Sequence, residues 1–126
     1  MTDKEIEEKK KVYTHKFSEP VSVISINKDG VTFSDGTTIC DKHEQDCCEA
    51  VYAEWEALIE QVFSSSEYRE LEIWGHGGLG IIINSFTVPC YNIQNGYYSS
   101  QLSLIITKQG VQTEVDISEF VEYIDG

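Results

Sequence analysis

Apolar residues recur with two different periods along this chain. From Val21 the run "VSVISI" is apolar and β-branched, "NKDG" supplies a turn, and "VTF" resumes the pattern before "SDGT" and "TIC". β-Branched side chains suit a pleated backbone and Asp-Gly suits a tight hairpin, so a three-stranded meander is predicted at 21–27, 31–34 and 37–41. The period then changes. Val51, Trp55, Leu58, Ile59 and Val62 follow one another at three- and four-residue steps, with Glu54, Glu56 and Glu60 between them. That spacing predicts an amphipathic helix ending near Phe63. Asp46 and Glu49 stand three apart, as a capping box requires, and set the predicted start at Asp46. The stretch "CEAVYA" also reads as a short strand.

Strands resume with "ELEIW" at 70–74, followed by "GHGGLG" and the apolar run "IIINSF". The polar stretch "PCYNIQNGYYSSQ" reads as a surface loop, after which "LSLIIT" turns at "KQG" into "VQTEVDI". In this last segment Val111, Thr113, Val115 and Ile117 alternate with polar residues, the pattern of a strand with one wet face. "SEFVEYIDG" reads as a short turn of helix. The predicted fold class is α+β: a mostly antiparallel sheet of two hairpin or meander units with one principal amphipathic helix packed on it.

Length and charge refine this picture. The chain of 126 residues suits a single domain, here 17–126, preceded by a charged extension, 1–16, whose first residues are polar on every side. No apolar run has the length of a membrane span and the N-terminus lacks a secretory leader, so the expected location is the cytosol. There Cys40, Cys47, Cys48 and Cys90 are expected to be reduced. The net charge is −13; residues 1–16 hold five Lys against four acids, leaving −14 on the remainder. Nine acids lie between 44 and 72 against the single cation Arg69. Such a surface repels phosphate backbones and anionic lipids, so neither direct nucleic-acid binding nor membrane binding is expected. It suits a basic protein partner, including one whose own nucleic-acid groove it could occupy, or it serves solubility alone.

Three stretches could carry chemistry. Cys40, His43, Cys47 and Cys48 offer imidazole and thiolate at spacings that zinc accepts, with Cys90 or His76 as further ligands from the second half. One such clip without a second is a weak zinc signature, and the competing reading has one cysteine under the helix and the other in its first turn. His43, Cys47 and Cys48 are the candidate metal ligands. Cysteine catalysis at the same place is opposed by the surrounding carboxylates, which raise a thiol pKa. "WGHGGLG" resembles a phosphate loop or an esterase oxyanion loop, yet it leads into a strand and no G-x-S-x-G accompanies it, so an inter-strand turn is expected. "YNIQNGYYSSQ" has the Tyr, Asn, Gln and Ser content of a recognition loop. Asn92, Gln94, Asn95, Tyr97 and Tyr98 are therefore candidate binding residues, together with Glu54, Glu56 and Glu60.

The blocks "SDGTTICDKHEQDCCEAVY" and "YNIQNGYYSSQLSLII" resemble a family of small uncharacterised proteins found mainly in bacteriophages and bacteria. The matching residues are His43, Gln45, Asp46, Cys47, Cys48 and Glu49, then Asn95, Gly96, Tyr97, Tyr98, Ser99 and Leu102. Cys40, Cys90, the acidic helix and "GHGGLG" fall outside that pattern. The resemblance implies a small, acidic, cytosolic accessory protein and no particular activity. Together these features lead to a non-enzymatic protein-binding module as the expected function. A zinc protein or enzyme built on His43, Cys47 and Cys48, and a nucleotide-like ligand held by 91–101 and the glycines of 75–80, are the alternatives.

Overall fold

A computed structural model of the chain describes residues 9–42, 50–94 and 101–125. Ten strands are joined in one hydrogen-bonded sheet: β1 (Lys9–Asn27), β2 (Gly30–Phe33), β3 (Thr38–Lys42), β4 (Ala50–Ala53), β5 (Glu67–His76), β6 (Gly80–Ile83), β7 (Phe86–Gln94), β8 (Ser103–Lys108), β9 (Val111–Asp116) and β10 (Glu122–Asp125). The spatial order is β10-β7-β6-β5-β1-β2-β3-β8-β9, with β4 also paired to β7. Among the described residues every pairing is antiparallel except β10 with β7. One helix, α1 (Ala57–Glu60), packs against the sheet. The α+β class with a mostly antiparallel sheet is thus the observed one.

Two strands do double duty, each changing partner along its length. The first stretch of β1 pairs with β5 as far as Ser22, and the remainder pairs with β2 from Val23. Its register breaks between Lys16 and Val21, where Pro20 sits without a ladder bond to lose. β7 pairs with β6 through Phe86–Pro89, then with β4 from Cys90 and with β10 from Tyr91. One apolar cluster collects Val31, Phe33, Ile39, Leu104 and Ile106 from one part of the sheet and Leu71, Ile73, Ile81, Ile83 and Val88 from the other. Phe63 lies at its centre, stacked on Tyr68 at 4.7 Å between centroids and edge-on to Phe86 at 5.0 Å and Phe33 at 6.4 Å. The Tyr68 hydroxyl donates to the Phe63 carbonyl at 2.6 Å, which satisfies the one polar atom the ring carries into the core.

Two expectations are corrected. The helix predicted from Asp46 to Phe63 is reduced to Ala57–Glu60, because Ala50–Ala53 forms β4. Burial from 51 to 56 alternates, with Val51, Ala53 and Trp55 inside and Tyr52, Glu54 and Glu56 outside. Pairing with β7 supplies the backbone partners that make the strand reading win; Asp46 and Glu49 lie outside the described residues. Lys9–Lys16, placed by the sequence in the charged extension 1–16, is the second. Lys9–Lys16 belongs to β1 and pairs with β5, with Lys16 opposite Glu70 and Lys11 Nζ 3.8 Å from Glu72. A lysine-rich segment that looks solvated in isolation becomes a strand beside an acidic one.

The glycine-rich stretch acts as a turn, with packing duties at its ends. Gly75 lies under the Phe120 ring, which occupies the space a Cβ would need, and a Cβ on Gly80 (φ 144°) would strike the Val88 carbonyl. Gly77 and Gly78 face open space at the tip. Among the described residues no helix is long and apolar enough to cross a membrane.

Candidate functional site

β7 positions the surface that carries the most recognition chemistry among the described residues. Tyr91 stands directly opposite Tyr52 of β4 on one side and Glu122 of β10 on the other. Residues in register across neighbouring strands share a face, so Tyr52, Tyr91 and Glu122 form one row on the outside of the sheet. Glu54, two residues beyond Tyr52, belongs to the same face and is tied there by its backbone N–H, which donates to the Pro89 carbonyl at 2.8 Å. The two rings lie 5.5 Å apart between centroids at 48°. The result is an aromatic pair that shares its face with two carboxylates.

The electrostatics agree with that geometry. The Tyr91 phenol is held above its ordinary value, first by desolvation and then by the negative fields of Glu54 and Glu122. Among the described residues neither of these glutamates forms an ion pair. Beside the row a cleft of about 360 Å³ is lined by Lys28, Asp29, Tyr52, Glu54, Trp55 and Glu56. Its rim therefore sets three carboxylates against one ammonium.

Asp41 fixes this surface to the rest of the molecule. One carboxylate oxygen accepts from the Ala53 N–H at 3.0 Å and the other from the indole N–H of Trp55 at 2.9 Å. Trp55 is fully buried, so this bond satisfies a donor with no access to water. Across from it, the Gln61 side-chain amide exchanges bonds of 2.7 and 2.9 Å with the carbonyl and N–H of Thr87. Gln61 in this way imitates a neighbouring strand and pins α1 to β7. Val62, next in sequence, has φ 54° and is exposed, an unusual state for a β-branched residue.

The residues singled out from the sequence are distributed unevenly. Glu54, Glu56 and Glu60 are exposed at β4 and α1. The acidic stretch 44–72 does not form one face, since Glu70 and Glu72 lie on β5 against the lysines of β1. Asn92 is fully buried in β7 and presents nothing to a partner; Tyr91–Gln94, read from the sequence as part of a polar loop, continues that strand. Asn95, Tyr97 and Tyr98 lie outside the described residues, as do His43, Cys47 and Cys48. Cys90 cannot join a zinc set without dismantling the core. It is fully buried with Sγ directed at the Val88 carbonyl, and burial pushes its thiol up to about 12. Among the described residues no three His, Cys, Asp or Glu side chains converge as metal ligands do. Tyr91 opens the stretch 91–101 read as a recognition loop, whereas Tyr52 and Glu122 carry no such mark in the sequence; the alternation through 51–56 is the signal that points to Tyr52.

No family model, curated protein or solved structure matches this chain.

Proposed function

We propose that this protein is a non-enzymatic binding module that presents its Tyr52–Tyr91 row and neighbouring glutamates to a basic protein surface. The observation that carries this reading is the exposed Tyr52 ring beside the half-buried Tyr91 ring, sharing a face with Glu54 and Glu122, neither of which forms an ion pair with a described cation. Aromatic rings bring contact area at small entropic cost, and uncompensated carboxylates steer a cationic partner and add specificity. Exposed Ile59 and Val62 beside Glu56 and Glu60 extend the surface with apolar contact. The accessory role in phage or bacterial cells implied by the "HEQDCCE" and "NGYYS" blocks is compatible with this reading, and inhibition of a nucleic-acid-binding protein is its natural form.

The experiment is affinity capture from bacterial lysate with the native protein and with the combined variant Glu54→Gln, Glu56→Gln, Glu122→Gln. Basic proteins retained at about 50 mM salt should be released near 500 mM, where the screening length falls to a few ångströms. The variant should lose them at both concentrations. Retention that ignores both salt and the three substitutions would sink the proposal.

A further inference from the structure

We infer that the Tyr52–Tyr91 pair is a clasp for an arginine side chain, in which a partner's guanidinium lies on the rings and its N–H groups reach Glu54 and Glu122. This rests on the acidic-face reading and adds the chemistry of the anchor. The row Tyr52, Tyr91, Glu122 spans three adjacent strands, about 10 Å at the usual strand spacing. A planar group laid on Tyr91 therefore has Glu122 beside it on the next strand and Glu54 on the same face, two residues beyond Tyr52. The tilt of 48° between the rings leaves an angled aromatic surface instead of a closed stack.

The chemistry selects among cations. Guanidinium is planar, weakly hydrated and forked, so it stacks on an aromatic face while its edge donates to carboxylates. A lysine ammonium is a strongly hydrated point charge that gains less from a ring exposed to water. A quaternary ammonium would need aromatic walls on several sides, and this face offers two rings, Tyr52 exposed and Tyr91 half-buried. Phosphates and carboxylates are repelled by Glu54, Glu56, Asp29 and Glu122.

Binding of fluorescein-labelled octa-arginine and octalysine, followed by anisotropy, tests the clasp. The native protein should bind octa-arginine about 10-fold more tightly than octalysine. In the double variant Tyr52→Leu, Tyr91→Leu, which keeps apolar bulk on the strands, the ratio should fall to about 2 or less with octalysine affinity unchanged. Glu54→Gln with Glu122→Gln should weaken both peptides. As a measurement that needs no variant, the ring resonances of Tyr52 and Tyr91 should shift with octa-arginine and stay in place with octalysine. Equal binding of the two peptides to the native protein, or a preference that survives the leucine substitutions, overturns the clasp and leaves the acidic-face reading standing. Failure of both peptides to bind overturns both.

Discussion

The two faces of β4, β7 and β10 are built from alternate residues of the same strands, yet they hold their polar and reactive groups in opposite conditions. Inside, Val51, Ala53, Cys90 and Asn92 are buried, and the thiol that sequence reasoning offered to zinc is kept protonated by burial. Outside, Tyr52, Glu54, Tyr91 and Glu122 face a solvent that a partner can replace. A one-residue step along a strand separates the two conditions. The contrast teaches that residue type alone does not mark a site in a sheet protein; the parity of the position decides whether the chemistry is available.

The sharpest way to break the comparison is to cut the link that fixes β4 in place. Asp41→Ala removes both acceptors, strands the buried indole N–H of Trp55, and should cost about 3 kcal/mol in urea unfolding. If the cost is below about 1 kcal/mol, the inner face is not held as described. Gly75→Ala should come next, at about 2 kcal/mol, because a methyl group must displace the Phe120 ring. Most of that penalty should vanish in a Phe120→Ala background, whereas Gly77→Ala, at the open tip of the same turn, should cost far less.

His15 extends the contrast to pH. Its imidazole is half-buried, edge-on to Phe17 at 4.8 Å, with Nε2 buried and lacking a hydrogen-bond partner. Burial, then the Lys108 ammonium, hold it below its ordinary 6.5, with Asp35 pulling the other way. The fold therefore favours neutral His15. The unfolded chain takes up a proton near pH 6.5 and the folded chain only at lower pH, so the contribution present above 6.5 is lost as pH falls below it. Unfolding free energy should decline between about pH 7 and 5.5 in the native protein and decline less in His15→Phe. An unchanged slope in the variant would remove His15 from the account.

The smallest effects belong to the outer face. Tyr91→Leu and Glu122→Gln should each change stability by less than about 0.5 kcal/mol, since neither side chain holds the sheet together. A loss of several times that size would make them structural residues and not recognition residues. Thiol labelling gives the complementary readout: in the folded protein Cys90 should react with iodoacetamide only on the timescale of unfolding.

Much of the strand content is legible without coordinates. Val31, Phe33, Ile39, Leu104 and Ile106 enter the core from strands that β-branched runs and turn residues announce. The turn at Gln109-Gly110 is one of these, with both residues at positive φ as a tight hairpin requires. The segment 51–62 is different because it satisfies two periods at once. Val51, Trp55 and Leu58 fit a helix, while Val51, Ala53 and Trp55 fit a strand, and Ala53 is too weakly apolar to advertise the second pattern. β1 was obscured for another reason: Lys9, Lys10 and Lys11 look like a solvated tail until Glu72 and Trp74 of β5 lie beside them. Tyr91 falls in a stretch whose composition marks it for recognition, but the row itself is not legible, because Tyr52 and Glu122 are 70 positions apart and meet only through β7.

By itself, then, the sequence determined the class of fold and the acidic balance, since local propensity, turn chemistry and net charge are properties of neighbours along a chain. Tertiary structure decided where β4 replaces a helix, which glycines are packed and which tyrosines and glutamates share a face. Those choices depend on backbone groups finding partners far away in sequence, which no local pattern specifies.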